Sequence, residues 1–172
     1  PQVYVTFLDL AIIQSFYFKQ EKTYTNILPQ LQRYTLDLTT SSYTKHTFTL
    51  NALEFACINN HYAQKPYNYF YAVAALKNID SELNSLIKVN LADLGATKNW
   101  YQESCYAGEP IFIAKPNALS DDEGVVIALV SNIANKTSFL LILDAISFTE
   151  VSRIQLPHML PFGLHGGFYP TN

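Results

Sequence analysis

A chain of 172 residues with 49% hydrophobic and 14% aromatic side chains carries enough apolar material for one packed domain, which excludes intrinsic disorder. Eleven basic against fourteen acidic residues leave a net charge of −3, and no run of Lys or Arg occurs, so a phosphate-tracking nucleic-acid surface is excluded. The longest apolar runs, 125–130 and 139–143, fall far short of the ~20 residues of a spanning helix.

Residues 1–18 have no basic start and are interrupted by Asp9, so they do not read as a signal peptide. From there on the apolar pattern has period two or forms short continuous runs, not period 3.6. Strands are predicted in order at 3–8, 33–38, 67–76, 86–91, 111–114, 125–130, 139–143 and 151–156, all rich in Val, Ile, Tyr, Phe and Thr. Cys57 and Cys105 form neither a framework nor a CxxC pair, which points to reduced thiols and a cytosolic setting.

Three stretches look like copies of one unit: a strand ending in Asp or Asn, a polar turn, and a second strand. They are 31–38 followed by 45–50, 85–91 followed by 97–102, and 139–145 followed by 150–156. Asp37, Asn90 and Asp144 mark the turn entrances, spaced 53 and 54 positions apart, and an Asx side chain there can bind the backbone two residues on. A period near 50 built of β-hairpins signals propeller blades. The expected class is therefore all-β, with about three blades in residues 1–172. Closed rings hold roughly four to eight blades. The chain is thus expected to be the C-terminal portion of a propeller domain whose N-terminal blades lie outside it.

Four histidines are candidates for chemistry. His46 lies in a polar strand, His61 in a turn-like Asn59-Asn60-His61-Tyr62 cluster, and His158 in a loop after Pro157; all three read as surface residues. His165 differs, because apolar residues surround it and Gly163, Gly166 and Gly167 flank it, which predicts burial. A buried imidazole must satisfy both ring nitrogens, either on a core carbonyl or at a metal. Glu54 and Glu109 interrupt apolar stretches, and a buried carboxylate needs a donor such as the free N–H of a metal-bound imidazole. Alternatively, each simply faces solvent on an alternating strand. Asp121-Asp122-Glu123-Gly124 reads as a solvated hairpin turn, since it offers too few alternating oxygens for calcium. Asn135-Lys136-Thr137 fits a glycosylation sequon, but nothing else suggests secretion.

Six stretches in series are similar to the C-terminal part of the carotenoid cleavage oxygenases: LQRYTLDL at 31–38, LEFACINNHYAQKPYNYFY at 53–71, YAGEPIFI at 106–113, DDEGVVIALV at 121–130, SFLLILD at 138–144 and LPHMLPFGLHGGF at 156–168. The resemblance implies a seven-bladed propeller with Fe(II) on its axis, held by four histidines. The last of these falls on His165, in the PFG-x-HG motif, and the other three would lie upstream. It also implies glutamates that hydrogen-bond the iron-bound imidazoles, two of which fall on Glu54 and Glu109. Glu109 would then serve His165, and Glu54 a histidine outside this chain, while Phe55 and Leu164 would flank the substrate path. The implied reaction adds dioxygen across a double bond of a lipophilic polyene to give two carbonyl products, with peripheral membrane association of the full-length protein. Ala56 and Cys57, where the family often has Pro and Arg, and the step 63–66 depart from the pattern, which leaves substrate preference open. An isomerohydrolase of the same family would share these motifs. A reading of a different class is an iron-free propeller segment that acts as a binding module.

Overall fold

The computed structural model describes residues 2–6, 31–48, 50, 53–63, 65–75 and 84–170. Its described residues form three antiparallel sheets in succession along the chain. The first contains β1 (Gln2–Thr6), β2 (Leu31–Asp37) and β3 (Ser42–Thr47) in that order. The second is a meander of β4 (Leu53–Cys57), β5 (Tyr69–Ala74), β6 (Ser85–Asn90) and β7 (Lys98–Tyr101). In the third, β8 (Cys105–Ala107) and β9 (Ile111–Ala114) share one edge of β10 (Gly124–Asn132), followed by β11 (Thr137–Asp144) and β12 (Glu150–Gln155). Blade-like sheets in a row agree with the all-β class, and no closed ring is formed by the described residues.

The predicted strands are present with ends shifted by a few residues, and residues 7–8 and 76 of the first and third predictions lie outside the described ones. The return strand expected at 45–50 runs instead over Ser42–Thr47, and that expected at 97–102 over Lys98–Tyr101. Sequence alternation missed β4 and β8 because both abut an interruption. In β4 the pairing to β5 jumps from Glu54↔Val73 to Cys57↔Tyr71, so Phe55 and Ala56 together oppose Ala72. Between β8 and β9 the pairing jumps from Ala107↔Val130 to Ile111↔Ile127, so three residues oppose two. Each is a bulge of one extra residue; the first directly follows Glu54 and the second contains Glu109. Phe55 takes a left-handed conformation, φ 54°, which accommodates the first bulge. Pro110, which has no N–H to offer a ladder, sits in the second.

The repeat is visible in the hairpin turns. Asp37 Oδ1 accepts the Thr39 N–H at 2.8 Å, Asn90 Oδ1 the Ala92 N–H at 2.9 Å, and Asp144 Oδ1 the Ser147 N–H at 2.6 Å. These Asx turns close equivalent hairpins, β2–β3, β6–β7 and β11–β12. The sequon falls in the tight turn between β10 and β11, where Asn132 Oδ1 accepts the Asn135 N–H at 3.0 Å.

Strand alternation sends one set of side chains between neighbouring sheets. Leu31 and Phe48 pack with Leu53, Phe70, Ala72 and Val89 between the first and second. Tyr71, Val73, Leu86 and Trp100 meet Val126, Ala128, Val130, Leu141 and Leu143 between the second and third. The acidic run at 121–123 corrects the sequence reading, because Asp121 and Asp122 are buried, not solvated. Asp122 Oδ2 lies 2.7 Å from Lys88 Nζ, whose side chain is 5% exposed, and Asp121 accepts the backbone N–H groups of Asn68 and Tyr69. The run therefore clasps the third sheet to the second. Its partners are 34 to 53 positions away along the chain, beyond the reach of local composition.

Candidate metal and substrate site

The two bulges and the segment after β12 converge. From Pro157 to Pro170 the chain forms no strand, and no backbone–backbone hydrogen bond ties it to a sheet among the described residues. Side chains hold it instead. Glu109, turned out of the ladder by the second bulge, accepts the Gly166 N–H on Oε2 at 2.8 Å, and His165 Nδ1 lies 3.3 Å from its Oε1. Toward an ionised carboxylate Nδ1 is the donor, and in the neutral imidazole Nε2 is then the acceptor. The Phe55 ring stands edge-on to the imidazole at 5.7 Å between centroids. Thus Phe55 from the first bulge, Glu109 from the second and His165 from the final strap meet at one place.

His165 itself is exposed, with 69% of its side chain accessible, and this corrects the burial expected from its neighbours. The glycines and apolar residues around it extend along an open strap, not through a core: Phe162 and Leu164 are 68% and 67% exposed. Beneath the strap lies a cavity of 520 Å³, bounded by the outward face of β10 and β11 and by Phe55, Ile111, Leu164 and His165. Apolar side chains dominate its wall, and Phe162 packs edge-on against Tyr106 at its rim.

Glu54 sits just before the first bulge, paired with Val73, half-buried, with Oε1 buried and without a hydrogen-bond partner among the described residues. Burial pushes its carboxyl above the ordinary value. Cys57, next on the same strand, has its thiol pushed up to about 12 by burial, and Cys105 is raised for the same reason; neither is in a disulfide. His46 and His158 are exposed, and His61 lies in the short 3-10 turn Asn60–Tyr62. No group of three or more His, Cys, Asp and Glu able to hold a metal occurs among the described residues. Sequence reasoning missed Ser131 and Ser138, which face each other across β10 and β11 at the cavity floor; their one signal was a polar residue on each flank of a hairpin between apolar runs.

A family model described as retinal pigment epithelial membrane protein (RPE65) matches residues 3–170. Carotenoid cleavage dioxygenase 8 (chloroplastic) of Arabidopsis thaliana is 37% identical over 121 residues, covering 70% of this chain and 21% of that protein. The apocarotenoid-15,15'-oxygenase of Synechocystis is 30% identical over 145 residues, covering 83% of this chain and 30% of that protein. A solved structure of cobalt-substituted Synechocystis apocarotenoid oxygenase superposes with a TM-score of 0.77 at 28% identity, over 88% of this chain and 32% of that one. The chain therefore spans between a fifth and a third of the proteins it matches.

Proposed function

Because the chain belongs to the retinal pigment epithelial membrane protein family of carotenoid oxygenases, we propose that it forms the last three blades of a seven-bladed, Fe(II)-dependent oxygenase that cleaves a polyene double bond. The substrate is a carotenoid or apocarotenoid, and the products are two carbonyl compounds. The observation that carries this reading is the Glu109–His165 pair at one end of an apolar cavity.

The donor set fits a share in an iron site. His165 offers a neutral imidazole whose Nδ1 is engaged by a carboxylate, the arrangement that fixes the tautomer of a metal-ligating histidine. Glu54 offers a buried acceptor without a partner among the described residues, suited to the N–H of an imidazole from outside this chain. His165 would hold the metal through Nε2; Glu109 and Glu54 would orient imidazoles without touching it. When bound, Fe(II) supplies open coordination for dioxygen. The chain's own contribution is placement. Glu109 grips both the ring and the backbone beside it: the imidazole cannot turn without breaking its Nδ1 contact, and the Gly166 N–H holds the carboxylate against the strap. Phe55 stands against the ring and, with Ile111 and Leu164, offers an apolar wall on which a long polyene loses water without needing polar partners.

The test uses the complete protein. His165→Ala is expected to lose iron and polyene cleavage together, at wild-type expression and melting temperature. Undiminished cleavage by that variant overturns the reading. No described helix is long and apolar enough to cross a membrane. Relatives carry chloroplastic and mitochondrial names, so the cysteines alone do not assign a cytosolic setting; the complete protein would meet a membrane peripherally to collect its lipophilic substrate.

A further inference from the structure

His165 belongs to a strap without ladder hydrogen bonds, so Glu109 alone does not account for how that strap is aimed. A second anchor lies upstream at Leu160. The Leu160 N–H donates to Ser138 Oγ at 2.9 Å, and Ser131 Oγ–H donates to the Leu160 carbonyl at 3.3 Å. The two hydroxyls are 3.4 Å apart, and both serines are buried. Proton accounting gives the contact a direction. Ser131 uses its hydrogen on the Leu160 carbonyl, so Ser138 is the hydroxyl that donates between them. The result is a closed circuit from Leu160 N–H through Ser138 and Ser131 back to the Leu160 carbonyl, in which each bond polarises the next.

We propose that Ser131 and Ser138 are positioning residues for His165, acting through the strap, which they fix at Leu160 while Glu109 fixes it at Gly166. The inference rests on the reading of His165 as an iron ligand. Five residues, 161–165, separate the two anchors. With both ends held, the arch over the cavity has a set span, and the imidazole at its far end has a set height. With Leu160 released, His165 pivots on Glu109 alone. The serine pair is suited to this role because it reads only backbone: it holds the strap whatever side chains face the cavity. Ser138 is anchored in turn by β11, whose carbonyl at this residue accepts the Leu156 N–H at 2.9 Å and the Gln155 side-chain amide at 2.8 Å.

The experiment measures Co(II) affinity by titration of the metal-free complete protein, with hydrogen exchange at the Leu160 and Gly166 amides as a readout independent of turnover. Ser131→Ala and Ser138→Ala are each expected to weaken Co(II) binding about tenfold, the lower end of what orienting partners of metal ligands contribute. Both are also expected to speed exchange at Leu160 without speeding exchange within β10 and β11. Ser131→Thr, which keeps the hydroxyl, is expected to retain wild-type affinity. Unchanged affinity in both alanine variants overturns the inference, and so does loss of the native fold in both, because the pair would then serve the sheet and not the histidine. If Ser138→Ala alone misfolds, Ser131→Ala decides. His165→Ala in the same titration separates the two readings: wild-type affinity there removes the iron ligand itself, whereas loss there with intact serine variants removes only the clasp.

Discussion

Cys57 shows how far burial, and not residue type, governs reactivity at single positions. It lies directly beyond the Phe55-Ala56 bulge, close to the glutamate that holds His165. With its thiol pushed up to about 12, the thiolate fraction at neutral pH is negligible. Cys57 and the buried Cys105 are therefore expected to resist iodoacetamide at pH 8 in the native protein and to react in denaturant, a difference read by mass spectrometry. Rapid native labelling of Cys57 would mean that the bulge opens to solvent. Glu54 and Glu109 were legible as acids within apolar runs, but their surroundings were not. Glu109 has two donors from the strap, whereas the buried oxygen of Glu54 has none among the described residues, and no local pattern distinguishes the two.

Between elements, the polar contacts worth most are those deprived of water. Lys88 reaches across to Asp122 and also donates to the Ile146 carbonyl at 3.1 Å, with its ammonium over the Tyr69 ring at 4.3 Å. Lys88→Met would leave Asp122 charged and buried with, among the described residues, the Ser120 hydroxyl at 2.8 Å as its remaining donor. A loss of about 3 kcal/mol is expected in urea unfolding, the lower end for removing one member of a buried pair. Replacing both partners with apolar residues should recover most of it. Close approach is equally unforgiving at Gly124, where β10 pairs with β9: an added Cβ would press on the Ile113 carbonyl and lie 2.8 Å from Phe112 Cζ. Gly124→Ala is expected to cost about 2 kcal/mol by the same measurement, within the usual range for overpacking. The turn carboxylates behave differently. Backbone N–H donors hold Asp37 and Asp144 below the ordinary carboxylate value, so any stability they add is present above it and fades as pH falls through their lowered pKa values.

The reach of sequence reasoning follows from these same contacts. Asp37, Asn90 and Asp144 could be read because an Asx turn is a local device: side chain and amide are two or three residues apart. Strands with long continuous apolar runs, such as β10 and β11, were legible for the same reason. The Asp121-Asp122 clasp, the serine circuit and the exposure of His165 were not, since each depends on which remote segment faces it. The two bulged strands were hidden because a bulge breaks the period by which a strand is recognised.

Across the whole molecule, three sheets are welded in series by two apolar seams, and Phe55, Glu109 and His165 meet at one place. With no group of three candidate ligands among the described residues, the 172-residue chain alone is expected to bind no stoichiometric Fe(II) at micromolar concentrations, while the complete protein does. Metal analysis after gel filtration checks this, and tight binding by the isolated chain would move the site away from a shared axis.

The matched bulges, one just after Glu54 and one at Glu109, carry a consequence for tolerated change. A single added residue swaps the two sides of a strand, so everything beyond it points opposite to where simple alternation would send it. Deleting Ala56 or Pro110 would remove no charge, yet it would invert the remainder of each strand relative to its acid. At these two sites the protein is guarding a residue count, and an indel there should prove more damaging than most substitutions.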